Sequence, residues 1–408
     1  MTIRSPINRR SLLQTGAASA ALVASPAVLR AQTAALKIGV ILPLSGIISF
    51  PGIATRRGTE LAVKMFAADG VKLDVSFVDT ESKPENGRIA AEKLIRDGVS
   101  VLVGAWESGA TISAAQAAEA AKVPLLVNVA AAPQITEQGF TQVFRNFPSS
   151  IDIVTKGIGL FKDLPRGNGF DPKTAVVLHV NDTFGQATGA AIKAVWEKLG
   201  VDIKILETIS YDLRARDLSV EVAKAKATGA DLVCPVTRIN DAILIVREMI
   251  KQDYNPMAIY GPSSPGPYEK AFTDALGKYA DDYLTSVPWY DPTKDFTKRV
   301  LAAWTKDLPD ERFELNSGFG WESIQVVVDA FKRAGSAKPA DLHAALKATN
   351  IAEHIMYGGP ITFDAKGQNT NIGVPLLQNQ AQKPLVVAPQ NIAEGKIKLP
   401  MSTWSTRG

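Results

Sequence analysis

The sequence has little cysteine and histidine, with one Cys and three His among 408 residues. The lone Cys234 excludes an internal disulfide, and its apolar neighbours are typical of a buried small side chain rather than a reactive thiol. His179, His343 and His354 are far apart in the sequence, which disfavours a zinc cluster. We therefore predict neither a disulfide nor a metal site.

Several signatures of catalysis are missing as well. The chain has neither the Gly-x-Ser-x-Gly turn of serine hydrolases nor a phosphate-binding loop that ends in Gly-Lys-Ser/Thr. Gly157 and Gly159 lack the third glycine of a dinucleotide-binding fingerprint. These absences leave an enzyme without named catalytic residues, so we predict a protein that is not an enzyme and needs no cofactor.

The first 31 residues contain no acidic side chain and four arginines, including the pair Arg9-Arg10 ahead of a mildly apolar stretch. This pattern is typical of a twin-arginine export signal that ends near Ala31. The stretch includes Gly16 and Pro26 and is too weakly apolar for a transmembrane helix. No cysteine is available there for lipid attachment. We therefore predict export to the periplasm without a direct membrane anchor.

An excess of charge of one sign is missing from the rest of the chain. The whole sequence has 45 Lys+Arg and 41 Asp+Glu, and removing the four arginines of residues 1–31 leaves 41 of each sign. This balance predicts no electrostatic surface for nucleic acid. The remaining length is sufficient for two domains of ordinary size.

What the sequence does contain is an alternation of short apolar runs with amphipathic helical stretches. Residues 37–42 predict a buried strand, Ser82 to Glu85 a capping box, and residues 86–96 the helix that this box opens. Strands separated by helices of this length imply parallel βαβ units. The pattern restarts near residue 174. We therefore predict an α/β fold of two doubly wound parallel-sheet lobes.

The order of these elements predicts that the chain crosses between the lobes three times, which would make a hinge. A β-rich tail is expected to add the last strands of the second lobe. The expected boundaries are a signal peptide at 1–31, lobe 1 at 32–147, lobe 2 at 148–284, a return to lobe 1 at 285–355, and lobe 2 strands with the C-terminal tail at 356–408.

Loops that follow parallel strands are the expected ligand sites in such a fold, because helix N-termini meet the carboxyl ends of the strands there. Residues 104–111 form one such loop, and the hydroxyl of Ser108 within it is suited to an anionic group. The alternative for Ser108 is a plain helix N-cap.

Four segments stand in a familiar order, namely 38–46, Val103-Gly104 followed by Ser108, 181–185, and 260–262. In this order and spacing the chain resembles the type I periplasmic binding proteins of the leucine/isoleucine/valine-binding group, which serve ABC transporters. The resemblance covers essentially the whole chain after residue 31. It implies two lobes joined by a three-crossing hinge, a small-molecule ligand held by lobe closure, a membrane permease as partner, and a monomer.

The sequence departs from the pattern of that family where the family binds an amino acid. Ser108 matches the serine that binds the ligand carboxylate, but Ala131 replaces a threonine and Phe184 stands where tyrosine is frequent. Ser263 stands where an acid would hold the ammonium, and Arg238 where an aromatic residue is common. An arginine in the cleft suits a carboxylate, whereas a buried ammonium without an acid would be costly.

These departures predict a small carboxylate-bearing organic acid without an α-amino group, aromatic acids included. In the alternative for Arg238, Glu107 or Asp241 simply neutralises it. Binding of branched-chain or other amino acids or amides, a ligand sensor of the same fold, and an exported enzyme stay open as rival functions. The predicted ligand-binding residues are Phe50, Trp106, Glu107, Ser108, Ala130, Phe184, Arg238 and Ser263.

Overall fold

The structure is a computed structural model that describes residues 35–407, so the predicted export signal lies outside the described residues. Across residues 35–407, the helices are all too short or too polar to cross a bilayer. In chain order the strands are β1 Leu36–Leu42, β2 Leu73–Asp79, β3 Val101–Val103, β4 Leu125–Val127, β5 Val143–Arg145, β6 Thr174–Val180, β7 Lys204–Tyr211, β8 Leu232–Val236, β9 Ala258–Pro262, β10 Leu284–Ser286, β11 Asn350–Ile351, β12 Ile361–Thr362, β13 Leu376–Gln380 and β14 Lys383–Ala388. The α-helices are α1 Ser49–Ala68, α2 Asn86–Arg96, α3 Ser108–Ala121, α4 Gln134–Glu137, α5 Ser150–Lys162, α6 Thr183–Lys198, α7 Ser219–Ala227, α8 Ile239–Lys251, α9 Lys270–Leu276, α10 Asp295–Asp307, α11 Leu315–Ala334 and α12 Pro339–Lys347.

The first sheet has the order β2-β1-β3-β4-β5, and all of its neighbouring strands are parallel. Strand β1 is almost continuously apolar, as expected for a central parallel strand that helices cover on both faces. Helix α11 returns late in the chain to pack on α1. The contact is close because Gly58 faces the backbone of Ser317, where a Cβ would come within 1.9 Å of the Ser317 carbonyl oxygen.

The second sheet has the order β14-β13-β10-β9-β8-β6-β7. Its pairs from β10 to β7 are parallel, whereas β13 pairs antiparallel with both β10 and β14. The α/β fold of two parallel-sheet lobes is therefore confirmed, with an antiparallel edge on the second lobe. That edge arises because β13 and β14 follow each other through a two-residue turn at Ala381 and Gln382 and form a hairpin.

Two of the expected lobe boundaries fall inside paired segments. A boundary between residues 284 and 285 would cut β10, whose three residues pair with β9 and β13. Beyond the boundary expected at residue 356, Gln368 still forms a bridge with Arg145 at the edge of the first sheet. We therefore propose that the second crossing follows Ser286 and that the third follows Gln368.

The predicted capping box is wrong, although the helix that it was expected to open does span Asn86–Arg96. Glu85 occupies the N-cap position and makes no side-chain cap. The Ser82 hydroxyl instead accepts from the amide of Ile48 and donates to the carbonyl of Ser45, which fastens the loop after β1. Ser82 has a left-handed backbone, at a φ of 58°, and these two hydrogen bonds place its side chain on that loop and not on the helix.

The carboxyl ends of the central strands in the two sheets face each other across a cleft, and the lobes touch there. The Asn240 side-chain amide at the start of α8 donates to the carbonyl of Ile47 on the first lobe, at 3.1 Å. Helices α3 and α6 also approach each other from opposite lobes. The structure therefore has the closed arrangement, and the loops after the strands form the walls of the cleft.

Candidate ligand-binding cleft

A cavity lies between the lobes, and residues of both lobes line it. Six of the eight predicted residues line it: Trp106, Ser108 and Ala130 from the first lobe, and Phe184, Arg238 and Ser263 from the second. The other lining residues are Val129, Ala131, Phe147, Ile153, Pro265, Tyr268, Val287 and Leu315. The wall is therefore mostly apolar, and among the described residues that line it there is one cation and no carboxylate.

The loop after β3 places Trp106 and Ser108 in the wall. Trp106 has a left-handed backbone at a φ of 70°, and its indole nitrogen donates to the Asn316 side-chain oxygen at 2.8 Å. Ser108 is the first residue of α3, and its hydroxyl accepts from the amide of Ala132 at 3.2 Å. Because Glu107 holds the N-cap position, Ser108 is not the plain cap of its own helix. It joins two loops of the cavity wall.

Arg145 lies behind the neighbouring loop and sets its shape. One terminal nitrogen donates to the carbonyls of Ala130 and Ala132, at 3.2 and 2.7 Å. The other donates to the Thr136 hydroxyl, and Nε donates to the Gln368 side chain. Burial lowers the pKa of Arg145 to about 10, and every nitrogen of the group is held by a neutral oxygen. Its run of apolar neighbours suggested only a short strand, so sequence analysis did not identify this role.

Arg238 comes from the loop after β8 and is buried between two aromatic rings. Its guanidinium carbon lies 5.7 Å from the ring centroid of Trp106 and 5.1 Å from that of Phe184, so the two lobes sandwich the cation. Nη1 lies 2.7 Å from a carboxylate oxygen of Asp182, but the pair is not aligned as a hydrogen bond. Nε is buried and has no hydrogen-bond partner among residues 35–407. The group therefore keeps donors for a ligand.

The ionic partner of Arg238 is neither of the two acids weighed from the sequence. Asp241 accepts from the backbone amide of Arg238 at 2.9 Å and from the Tyr211 hydroxyl at 2.6 Å, so it holds the loop and does not contact the guanidinium. Asp182 pairs with the guanidinium and also caps α6, because its carboxylate accepts from the amide of Gly185. It lies within segment 181–185, already singled out, but its sequence position does not show what it contacts.

Glu107 and Phe50 do not line the main cavity. The carboxyl of Glu107 is buried beside it and accepts only a long contact from the Thr80 hydroxyl, at 3.5 Å. Burial raises the pKa of Glu107 to about 7 against the opposing effect of Arg238. Phe50 is 55% exposed, because it sits at the start of α1 over an adjoining cavity that Trp106 and Arg238 also border.

Ser263 and Tyr268 show what the loop after β9 contributes. Ser263 has a left-handed backbone, and its amide donates to the carbonyl of Ser286. Tyr268 was not predicted, yet its ring lines the cavity and its buried hydroxyl has no hydrogen-bond partner among the described residues. A tyrosine five residues after Ser263 in a loop rich in proline and glycine was the available signal.

Comparisons with known proteins agree with this architecture. A family model described as periplasmic binding protein matches residues 35–382. The Leu/Ile/Val-binding protein homolog 8 of Brucella abortus is 26% identical over 405 residues, which cover 96% of this chain and 99% of the relative.

Two solved structures share the fold. A leucine-binding protein from Thermotoga maritima superposes with a TM-score of 0.75 at 20% identity, covering 86% of this chain and 98% of its own. A solute-binding protein of an ABC transporter from R. palustris, in complex with benzoate, has a TM-score of 0.73 at 21% identity, covering 87% and 96%. The chain therefore belongs to the type I periplasmic binding proteins of the leucine/isoleucine/valine-binding family, and its role is to bind a small solute in the periplasm.

Proposed function

We propose that this protein captures a small apolar carboxylic acid without an α-amino group, aromatic acids above all, and presents it to an ABC permease. The observation that carries this proposal is the composition of the cavity wall. Among the described residues that line it, Arg238 is the one charged side chain and none is acidic. The buried Nε of Arg238 has no hydrogen-bond partner, and its Nη1 is not aligned with Asp182. A carboxylate would satisfy these donors with charge-assisted hydrogen bonds.

An amino acid would meet a less suitable site. Its ammonium would be buried close to the Arg238 cation, an arrangement that desolvation and like-charge repulsion both oppose. The nearest acid to the guanidinium, Asp182, is already paired with it. Ser263, at the position where the family pattern expects an acid, offers only a hydroxyl.

The remaining wall suits the body of an apolar acid. Trp106 and Phe184 flank the guanidinium, and Phe147 and Leu315 add apolar surface on the first-lobe side. Aromatic and aliphatic walls with a few fixed polar groups are typical of small-molecule sites. The R. palustris neighbour was solved with benzoate, which supports an aromatic acid as the first probe.

Amino-acid binding is the second candidate, and one observation favours it. Glu107 lies between two cavity residues and, with a pKa of about 7, is partly ionised at neutral pH. If it reached the ligand, it would be the acceptor for an ammonium. The Brucella relatives, described as Leu/Ile/Val-binding protein homologs, also keep this alternative in view.

The proposed mechanism is closure of the lobes over the ligand. Ser108 and the loop at Ala130 belong to the first lobe, whereas Phe184 and Arg238 belong to the second. A ligand held first on one lobe favours closure only by the additional free energy that it gains from the other. Arg238 supplies that difference, because its guanidinium reaches the Trp106 ring of the opposite lobe.

The experiment that separates the two candidates compares acids in matched pairs. Phenylalanine, leucine and valine are titrated by calorimetry beside their deaminated analogues and benzoate, after a thermal-shift screen. A ligand at 100 times its dissociation constant adds about 2.7 kcal/mol to the unfolding free energy, a shift that such a screen detects. The proposal expects tighter binding of the deaminated member of each pair. Tighter binding of the amino acids would assign the ammonium to Glu107 and overturn it.

We also propose that the chain is exported by the twin-arginine route, acts as a monomer and has no catalytic activity. The export proposal is motivated by Arg9-Arg10, and changing both to lysine should leave precursor in the cytoplasm. Normal processing of that variant would contradict it.

Light scattering of the protein tests the monomer, and recovery of the bound acid unchanged after prolonged incubation tests the absence of catalysis.

A further inference from the structure

Tyr268 is the second residue of the cavity wall that has an unpaired donor. Its side chain is fully buried, its ring packs edge-on against Trp289, and its hydroxyl has no hydrogen-bond partner among residues 35–407. The Asn316 side chain is close enough to oppose the rise in the pKa of Tyr268, but no hydrogen bond of normal geometry joins it to the hydroxyl. Its amide oxygen accepts from Trp106, and its amide nitrogen donates to Glu314. A buried hydroxyl without a partner costs free energy unless something else in the cavity accepts from it.

Arg238 and Tyr268 each have a buried donor without a hydrogen-bond partner in the described chain, and both line the same cavity. Of the residues that line it, they are the two whose buried N–H or O–H groups lack hydrogen-bond partners within the described chain. They approach the space from two loops of the second lobe, one after β8 and one after β9. A ligand that satisfied both would need two separate acceptor groups.

We infer that the ligand carries a second polar oxygen, a hydroxyl or carbonyl, that accepts from the Tyr268 hydroxyl while its carboxylate accepts from Arg238. This inference rests on the proposed function and narrows its ligand class to hydroxylated or keto-substituted apolar acids, with hydroxylated aromatic acids as the best fit to the wall. Tyr268 is then the residue that selects the substituted acid over the unsubstituted one.

The surroundings of Tyr268 favour a neutral oxygen over a second carboxylate. The buried carboxyl groups of Glu269 and Glu314 both act on it from outside the cavity wall, and Arg312 is bonded to its backbone carbonyl and not to its hydroxyl. Burial, reinforced by these two acids, keeps the pKa of Tyr268 well above its ordinary value, so the hydroxyl is a protonated donor at neutral pH. Burial also raises the pKa of both acids, and the same loss of hydration would oppose a second charged carboxylate on the ligand.

The test compares Tyr268→Phe with Tyr283→Phe in the full-length mature protein. Tyr283 is a matched control because its hydroxyl is also buried and unpaired among the described residues, yet its side chain does not line the cavity. Dissociation constants are measured by calorimetry for benzoate, for 2-, 3- and 4-hydroxybenzoate, and for benzene-1,4-dicarboxylate. Thermal unfolding of each variant verifies that it is folded.

The inference expects the wild type to bind at least one hydroxybenzoate about tenfold more tightly than benzoate, and the dicarboxylate more weakly than that isomer. Tyr268→Phe should reduce the preference to less than about threefold, because hydroxybenzoate affinity falls by more than benzoate affinity, and Tyr283→Phe should keep the preference. Equal affinity of the wild type for benzoate and all hydroxybenzoates, or a preference that survives Tyr268→Phe, would overturn the inference and leave the proposed function standing. Binding of amino acids with no response to any of the aromatic acids would overturn both.

Discussion

Two arginines are buried at the same cleft, Arg238 in the cavity wall and Arg145 behind a loop of that wall, and their N–H groups are bonded in different ways. Arg145, at the edge of the first sheet, donates to two backbone carbonyls and two neutral side chains. Arg238, in the second lobe, is held by two aromatic faces and one misaligned ion pair, with a buried Nε left without a partner in the described chain.

The contrast distinguishes Arg145, a cation that supports the fold, from Arg238, a cation that has a donor free to bind a ligand. A buried cation such as Arg145, in which every nitrogen is hydrogen-bonded to the protein, stabilises the loops to which it is bonded. A buried charge with open donors raises the free energy of the empty closed state, which a carboxylate then relieves. Sequence position alone would rank the two arginines equally, since each follows a short apolar run.

The largest expected effect is the loss of stability when Arg145, the hydrogen-bonded arginine of the pair, is replaced. Arg145→Met should lower the unfolding free energy by roughly 3–5 kcal/mol, because the carbonyls of Ala130 and Ala132 and the side chain of Gln368 lose their donor while buried. Urea denaturation measures it. Arg299→Met is the matched control, since Arg299 forms an exposed pair with Glu353 and its loss should cost less than about 0.5 kcal/mol. Equal costs for the two variants would refute the supporting role of Arg145.

The second prediction concerns Arg238, the arginine whose Nε has no hydrogen-bond partner in the described chain. Arg238→Met should weaken binding of the carboxylate ligand by about 100-fold, while the unfolding free energy changes by less than about 1 kcal/mol because Asp182 is partly exposed. Arg238→Lys should recover only part of the affinity, because an ammonium lacks the planar fork. Arg247→Met, an exposed change on helix α8, which begins directly after Arg238, should leave the affinity unaltered. If Arg238→Met destabilised the fold and spared binding, the two arginines would have the same role.

A third prediction uses pH to sharpen the electrostatic part of the contrast. Because the pKa of Glu107 is raised to about 7, its carboxyl is neutral below that pH and negative above it. An ionised Glu107 competes for Arg238 and repels a ligand carboxylate, so affinity should fall by about 3- to 10-fold between pH 6 and pH 8. Glu107→Gln should flatten this dependence, whereas Glu60→Gln on the exposed face of α1 should preserve it. An undiminished pH dependence in Glu107→Gln would assign the titration to another group, such as Glu314.

The smallest expected effect concerns Ser108, which both supports the fold and lines the cavity. Its hydroxyl accepts from the amide of Ala132. Ser108→Ala should weaken ligand binding by about 0.5–1.5 kcal/mol and lower stability by a similar or smaller amount. Calorimetry and thermal unfolding measure the two quantities. Ser113→Ala, on the same helix but bonded only to its own turn, is the control. A loss of stability with no loss of affinity would leave Ser108 a purely structural link.

Much of the cleft could be predicted because the relevant residues follow strands whose apolar patterns are local. Once β3, β8 and β9 are recognised, Trp106, Ser108, Arg238 and Ser263 must lie at their carboxyl ends, where the structure places them around one cavity. Phe50 and Glu107 were also predicted to bind the ligand, Phe50 as part of an aromatic wall and Glu107 as an acid close to Arg238. The first lies over an adjoining cavity, and the second turns away behind the wall.

The sequence by itself determined the α/β class, the two lobes and the loops that form the cleft, because periodicity and turn chemistry depend on near neighbours in the chain. Only the tertiary structure decided that Asp182 pairs with Arg238, that every nitrogen of Arg145 is hydrogen-bonded, and that the hydroxyl of Tyr268 lacks a hydrogen bond of normal geometry in the described chain. These outcomes depend on which side chains from distant segments meet when helices and loops pack. Residue patterns along one strand carry no information about a partner that arrives from another.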